Sequence, residues 1–113
     1  MPDDWAVRAT MSEPVKVPED CETMLDVRAG VDATDQRLVK LLETRYGYMR
    51  AAARIKQERA AVRDEGRKAR VIKAAAQAAE KAGLPASDIA ELWDQLVESS
   101  IAYEMAEWDR LRD

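Results

Sequence analysis

The chain has 113 residues, 47% hydrophobic and 35% charged, with 18 Lys and Arg against 22 Asp and Glu, a formal net charge of -4, one cysteine, and neither histidine nor phenylalanine. The acidic balance excludes a general nucleic-acid binder, which needs a basic excess to displace counterions from phosphates, and the lack of histidine beside a lone Cys21 excludes an intramolecular disulfide and a zinc site of the usual Cys/His type. A chain this short is one domain that buries only a modest part of its surface alone, and the scarcity of β-branched and aromatic residues points to an all-α fold.

Residues 1–17 carry Asp3, Asp4, Glu13 and Pro14 without an apolar run, so they read as a disordered tail before a helical domain over 18–113, with Met11 as an alternative start. They form neither a signal peptide nor a membrane anchor, and a cytoplasmic location is the expectation. From about Glu22 to Ala60 there is no proline, and apolar residues recur at helical spacing through Leu25, Val31, Leu38, Leu41, Leu42, Met49, Ala52 and Ile55. The spacing predicts one helix of about forty residues, about 60 Å long at 1.5 Å per residue. That exceeds what a compact domain of this size covers, so the helix is expected to pack against a second chain, even though Gly30 and Gly47 each cost up to about 1 kcal/mol in a helix interior.

Val62 to Gly66 reads as a loop, and Arg67 to Lys81 as a short Ala-rich helix with Gly83 suited to its C-terminal cap. Pro85, Ser87 and Asp88 mark the start of a third helix, whose stripe runs through Ile89, Leu92, Trp93, Leu96, Val97, Ile101, Met105 and Trp108. The expected chain is therefore three helices: long, short and medium.

Arg28, Arg45 and Lys56 fall close to the apolar stripe of the long helix. The ordinary reading is that they lay their stems on apolar surface and keep their charge in water. Arg45 and Lys56, eleven residues apart, share a face about 16 Å apart along the axis, within reach of one small anion between them. Arg28 lies about 25 Å from Arg45 and is rotated by about 100°, so if it binds a ligand it binds one in a partner's site. Ser100 and Glu104 share a face four residues apart, as ordinary amphipathic surface or as a buried carboxylate facing Lys56. The methionines and tryptophans read as packing and Cys21 as a small buried hydrophobe. Gly-rich phosphate loops, Ser/His/Asp arrangements and paired glycosidase carboxylates are absent from the sequence.

Asp26-Val27-Arg28, Val31-Asp32-Ala33-Thr34-Asp35, Leu38, Leu41-Leu42, Arg45 and Ile55-Lys56 together resemble the first helix of the all-helical (type II) chorismate mutases. Val62-Arg63-Asp64 and Arg67 resemble that family's loop and second-helix start, and Ser100 and Glu104 fall where its third helix places a serine and a glutamine, so that the resemblance covers roughly 18–111. It implies an intertwined homodimer in which each site takes one arginine from the opposite chain, and a small-molecule substrate, with no cofactor, metal, nucleic acid or membrane partner. Arg28 of the partner subunit and Arg45 would bind the two substrate carboxylates, for which a planar guanidinium fork is suited, and Arg67 would close over the substrate. Lys56 and residue 104 would donate to the ether oxygen, while Asp64 contributes through its backbone and Ser100 through its hydroxyl. The implied reaction is the pericyclic rearrangement of chorismate to prephenate, which requires a folded substrate and charge placed at the breaking C–O bond.

Two departures are visible. Lys68 stands where mutases of this class commonly carry a glutamate that receives the ring hydroxyl of chorismate. Pro18-Glu19-Asp20-Cys21, Ala51-Ala52, Arg54 and Lys56 resemble the isochorismate-pyruvate lyase branch of the fold, which leaves salicylate and pyruvate. A mutase of an amino analogue of chorismate is a third alternative, and a non-catalytic helical dimerisation module is an alternative of another class. A module would show no change in melting temperature with chorismate, whereas a binding site gains stability by linkage.

Overall fold

The computed structural model describes residues 15–113, and the expected tail therefore lies outside the described residues up to position 14. Among the described residues the protein is all-α, with three α-helices and no strand: α1 (Met24–Ile55), α2 (Glu65–Lys81) and α3 (Ala86–Leu111). Short 3₁₀ turns cover Pro18–Asp20 and Arg59–Val62. The chain divides into two compact units, Met1–Arg45 and Tyr46–Asp113.

In the first unit, α1 begins with a reciprocal cap. The Asp26 amide donates to Thr23 Oγ1 at 3.1 Å, and the Thr23 amide donates back to Asp26 Oδ2 at 3.3 Å, which satisfies two donors that the first helical turn leaves open. The Glu22 amide and Lys16 Nζ also reach Asp26 Oδ2, at 3.1 and 3.2 Å, and these contacts hold its carboxyl below the usual range, the Glu22 amide most of all. Beyond this turn the stripe expected to pack is exposed: Leu38 keeps 52% of its surface and Leu41 66%, and Leu25 and Val31 are also exposed.

In the second unit, α1 stops at Ile55, so its 32 residues span about 48 Å rather than the expected 60. The stop has no local cause, because residues 56–60 contain neither glycine nor proline. It coincides with the side chains of Trp108 on α3 and of Arg112 just past it, which take carbonyls at the end of α1, as described below. Val62 anchors the following turn in a small core with Val97 and Ile101, against which Val71, Met105 and Trp108 pack.

Helix α2 starts two residues earlier than expected. Asp64 accepts a hydrogen bond from the Arg67 amide at 2.9 Å and serves as its N-cap, so Gly66, expected in a loop, lies in the first turn. At the other end Gly83, with φ 73°, donates to Glu80 O, and Leu84 donates to Ala79 O at 2.8 Å, the paired bonds of a left-handed glycine cap. Pro85 then precedes α3, and Asp88 lies in its first turn, where a negative charge suits the helix dipole.

Candidate active site

The second unit brings together Lys56 and Glu104, 48 residues apart in sequence. Lys56 is the residue immediately after α1, and its Nζ lies 2.8 Å from Glu104 Oε2 in the C-terminal half of α3. The lysine side chain is about one-third exposed (31%) while that of Glu104 retains 5%. The contact is an ion pair without hydrogen-bond alignment, and no other group among the described residues hydrogen-bonds this oxygen. Burying a carboxylate in this way costs several kcal/mol unless a cation compensates, and Lys56 supplies that cation.

Ser100 lies one turn before Glu104, equally buried at 3% exposure, with its hydroxyl donating to Leu96 O at 2.7 Å. Asp64 and Arg67 meet through the α2 cap, and the Arg67 side chain is exposed. Arg28 and Arg45 belong to the first unit, where Arg28 is exposed and Arg45 half-buried on α1. An open apolar hollow in that unit, lined among others by Val15, Val17, Pro18, Val27 and Val31, includes none of the seven site residues expected from the sequence.

Lys68 does not stand alone. Its ammonium contacts Glu98 Oε2 at 2.7 Å and Asp94 Oδ1 at 2.9 Å, while Arg63 pairs with both oxygens of Glu98, at 2.8 and 3.0 Å, and with Glu65 at 2.8 Å. Hydrogen bonds from Arg63 and then Lys68 hold the Glu98 carboxyl down to about 2, and Glu98, ahead of Asp94, pushes the Lys68 ammonium up. These ion pairs link the start of α2, which carries Asp64 and Arg67, to α3.

Two residues read only as packing, or not singled out at all, touch the site from behind. Trp108 Nε1 donates to Lys56 O at 3.0 Å, and Arg112 donates to Lys56 O at 2.7 Å and to Ala53 O at 3.0 Å. Trp108 appears in the sequence as one more stripe residue and Arg112 as one more surface cation. The spacing 104, 108, 112 was the available signal, since residues four apart share a helix face.

Residues 27–105 match the family described as chorismate mutase type II. A protein named isochorismate pyruvate lyase from Pseudomonas aeruginosa is 34% identical over 98 residues, covering 87% of this chain and 97% of that protein.

Proposed function

The chain belongs to the chorismate mutase type II family, and from that membership we propose that it rearranges chorismate to prephenate in a site built from two copies of the chain. The observation that carries this reading is the Lys56–Glu104 pair, which sets a partly accessible ammonium beside a buried carboxyl group. In the rearrangement the C–O bond of the enolpyruvyl ether breaks as a C–C bond forms, and negative charge grows on the ether oxygen. Lys56 donates to that oxygen and stabilises the charge. Glu104 donates from the other side in its protonated form, since an ionised carboxylate has no hydrogen to give. An oxygen accepting from both groups would lie about 2.8 Å from each.

Arg45 and Arg28 of the partner subunit bind the two substrate carboxylates, and Arg67 closes over them. Asp64 contributes a backbone group and Ser100 its hydroxyl. The second copy is supported by the exposed apolar stripe of α1 and by the apolar hollow beside it, which together leave a large greasy surface on a single chain. No helix among the described residues is long and apolar enough to cross a membrane.

A second reading, elimination of pyruvate from isochorismate to leave salicylate, is supported by the name of the Pseudomonas aeruginosa relative and by Lys68. The position from which a mutase commonly presents a carboxylate to the ring hydroxyl here holds an ammonium tied to Glu98 and Asp94. Incubating the purified protein with chorismate and, separately, with isochorismate decides between them. Prephenate from chorismate at the higher kcat/KM is the expected outcome; salicylate and pyruvate from isochorismate, with little prephenate, selects the lyase, and no turnover of either removes both.

A further inference from the structure

Lys56 is gripped at two points by one helix. Its ammonium meets Glu104, and its carbonyl oxygen receives Trp108 Nε1 at 3.0 Å and Arg112 Nη2 at 2.7 Å. Glu104 and Trp108 are four residues apart on one face of α3, and Arg112, the C-cap just past Leu111, follows four residues later. Arg112 is itself held: its guanidinium carbon lies 4.2 Å from the centre of the Trp108 ring, and its Nη1 donates to Ala53 O at 3.0 Å. A guanidinium stacked on an indole in this way loses little freedom when it makes its hydrogen bonds.

The grip also explains why α1 ends where it does. Residues 56–60, Lys-Gln-Glu-Arg-Ala, are all good helix formers, so local preference continues the helix. A continued helix needs the Lys56 carbonyl to accept from the amide of residue 60. That carbonyl already takes one donor from α3, Trp108, and one from its C-cap, Arg112, and Ala53 O takes a third, so the acceptors at the end of α1 are satisfied by side chains rather than by another turn.

We propose that Trp108 and Arg112 are positioning residues for Lys56: by ending α1 at Ile55 and fixing the Lys56 carbonyl, they hold its ammonium in register with Glu104. They touch neither substrate nor reacting atoms. The inference rests on the reading of Lys56 as the group that donates to the ether oxygen, and extends it to the device that aims the lysine.

The test compares wild type with Trp108→Phe, which keeps an aromatic ring but loses the N–H donor with the pyrrole part of the indole, with Arg112→Lys, which keeps the charge and loses the fork, and with Arg112→Ala. Arg112 is exposed, so its replacement opens no core. A misplacement of about 1 Å costs about 100-fold in rate. Trp108→Phe and Arg112→Ala are therefore expected to lower kcat by about 10- to 100-fold while KM stays within about threefold, because the carboxylate-binding arginines are not moved. Arg112→Lys should fall between Arg112→Ala and wild type. Hydrogen exchange is expected to change in the peptide covering 52–60 and to stay at wild-type level in α2. Wild-type kcat and unchanged exchange over 52–60 would overturn the proposal. So would exchange rising across the whole chain with kcat and KM worsening together, which marks a merely structural role. Should wild type turn over neither chorismate nor isochorismate, the proposed reaction fails, and exchange over 52–60 alone then decides whether Trp108 and Arg112 set the end of α1.

Discussion

Glu104 carries two demands that one protonation state does not satisfy. Its ion pair with Lys56 at 2.8 Å suits the carboxylate, whereas donation to a developing oxyanion needs the acid. The expected consequence is that Glu104→Gln, whose amide donates a hydrogen bond, keeps kcat at or above the wild-type value, whereas Glu104→Ala, which has no donor, loses most of it. A Glu104→Gln variant as slow as Glu104→Ala contradicts the donor role. The same pair makes a stability prediction. Lys56→Met strands a buried carboxylate and should destabilise the fold, by less than the roughly 3–5 kcal/mol of a fully buried pair because the lysine is partly exposed; Lys56→Met/Glu104→Gln should recover part of that loss in chemical denaturation. Arg45→Lys keeps a charge but loses the fork, and kcat/KM is expected to drop tenfold or more, about 1.4 kcal/mol of transition-state binding, with a silent variant removing Arg45 from carboxylate recognition. The sequence left Glu104 open between surface and a buried partner of Lys56. Spacing places two groups on a face, but burial is decided by what packs over that face.

The helix ends separate local from tertiary causes. Gly83 and Pro85 were legible because a left-handed glycine cap and a proline just before a helix follow from the backbone itself. The end of α1 was not, because the donors to its last carbonyls sit more than fifty residues away, at the C-terminal end of α3 and on its cap. The start of α2 fell between these cases: Asp64 is a recognisable cap, but Gly66 two residues later suggested a loop. Asp64→Ala should cost about 1 kcal/mol, read as a lower denaturation midpoint with an unchanged m-value. The lattice around Glu98 gives a pH signature. Its carboxyl is held at about 2 in the folded chain against an ordinary 4.5, so its contribution is fully present above 4.5 and is lost as pH falls toward about 2. The difference in melting temperature between wild type and Glu98→Gln should therefore shrink progressively across that window and with added salt, since the group is partly exposed. A difference that is constant from pH 6 to pH 2 rules out the ion pairs as its source.

At the scale of the whole molecule, the sequence announced a helix too long for one small domain, and the structure leaves its Leu38 and Leu41 more than half exposed. The all-α class and the three helices were readable because hydrophobic periodicity is local. The expectation of a second chain came from the length of the helix and not from its periodicity, because nothing in one chain's periodicity distinguishes a face that packs within the chain from one that packs against another copy. The proposed second copy ties this surface to the chemistry through Arg28, which by helix geometry lies about 25 Å along α1 from Arg45 and so serves the opposite site. Mixing Arg28→Ala chains with Lys56→Ala chains tests that connection most directly. Each variant alone is expected to be inactive, and subunit exchange should restore part of the activity, because a mixed dimer contains one site with both residues intact. Absence of recovery after exchange has been demonstrated by mass would contradict a site shared between chains.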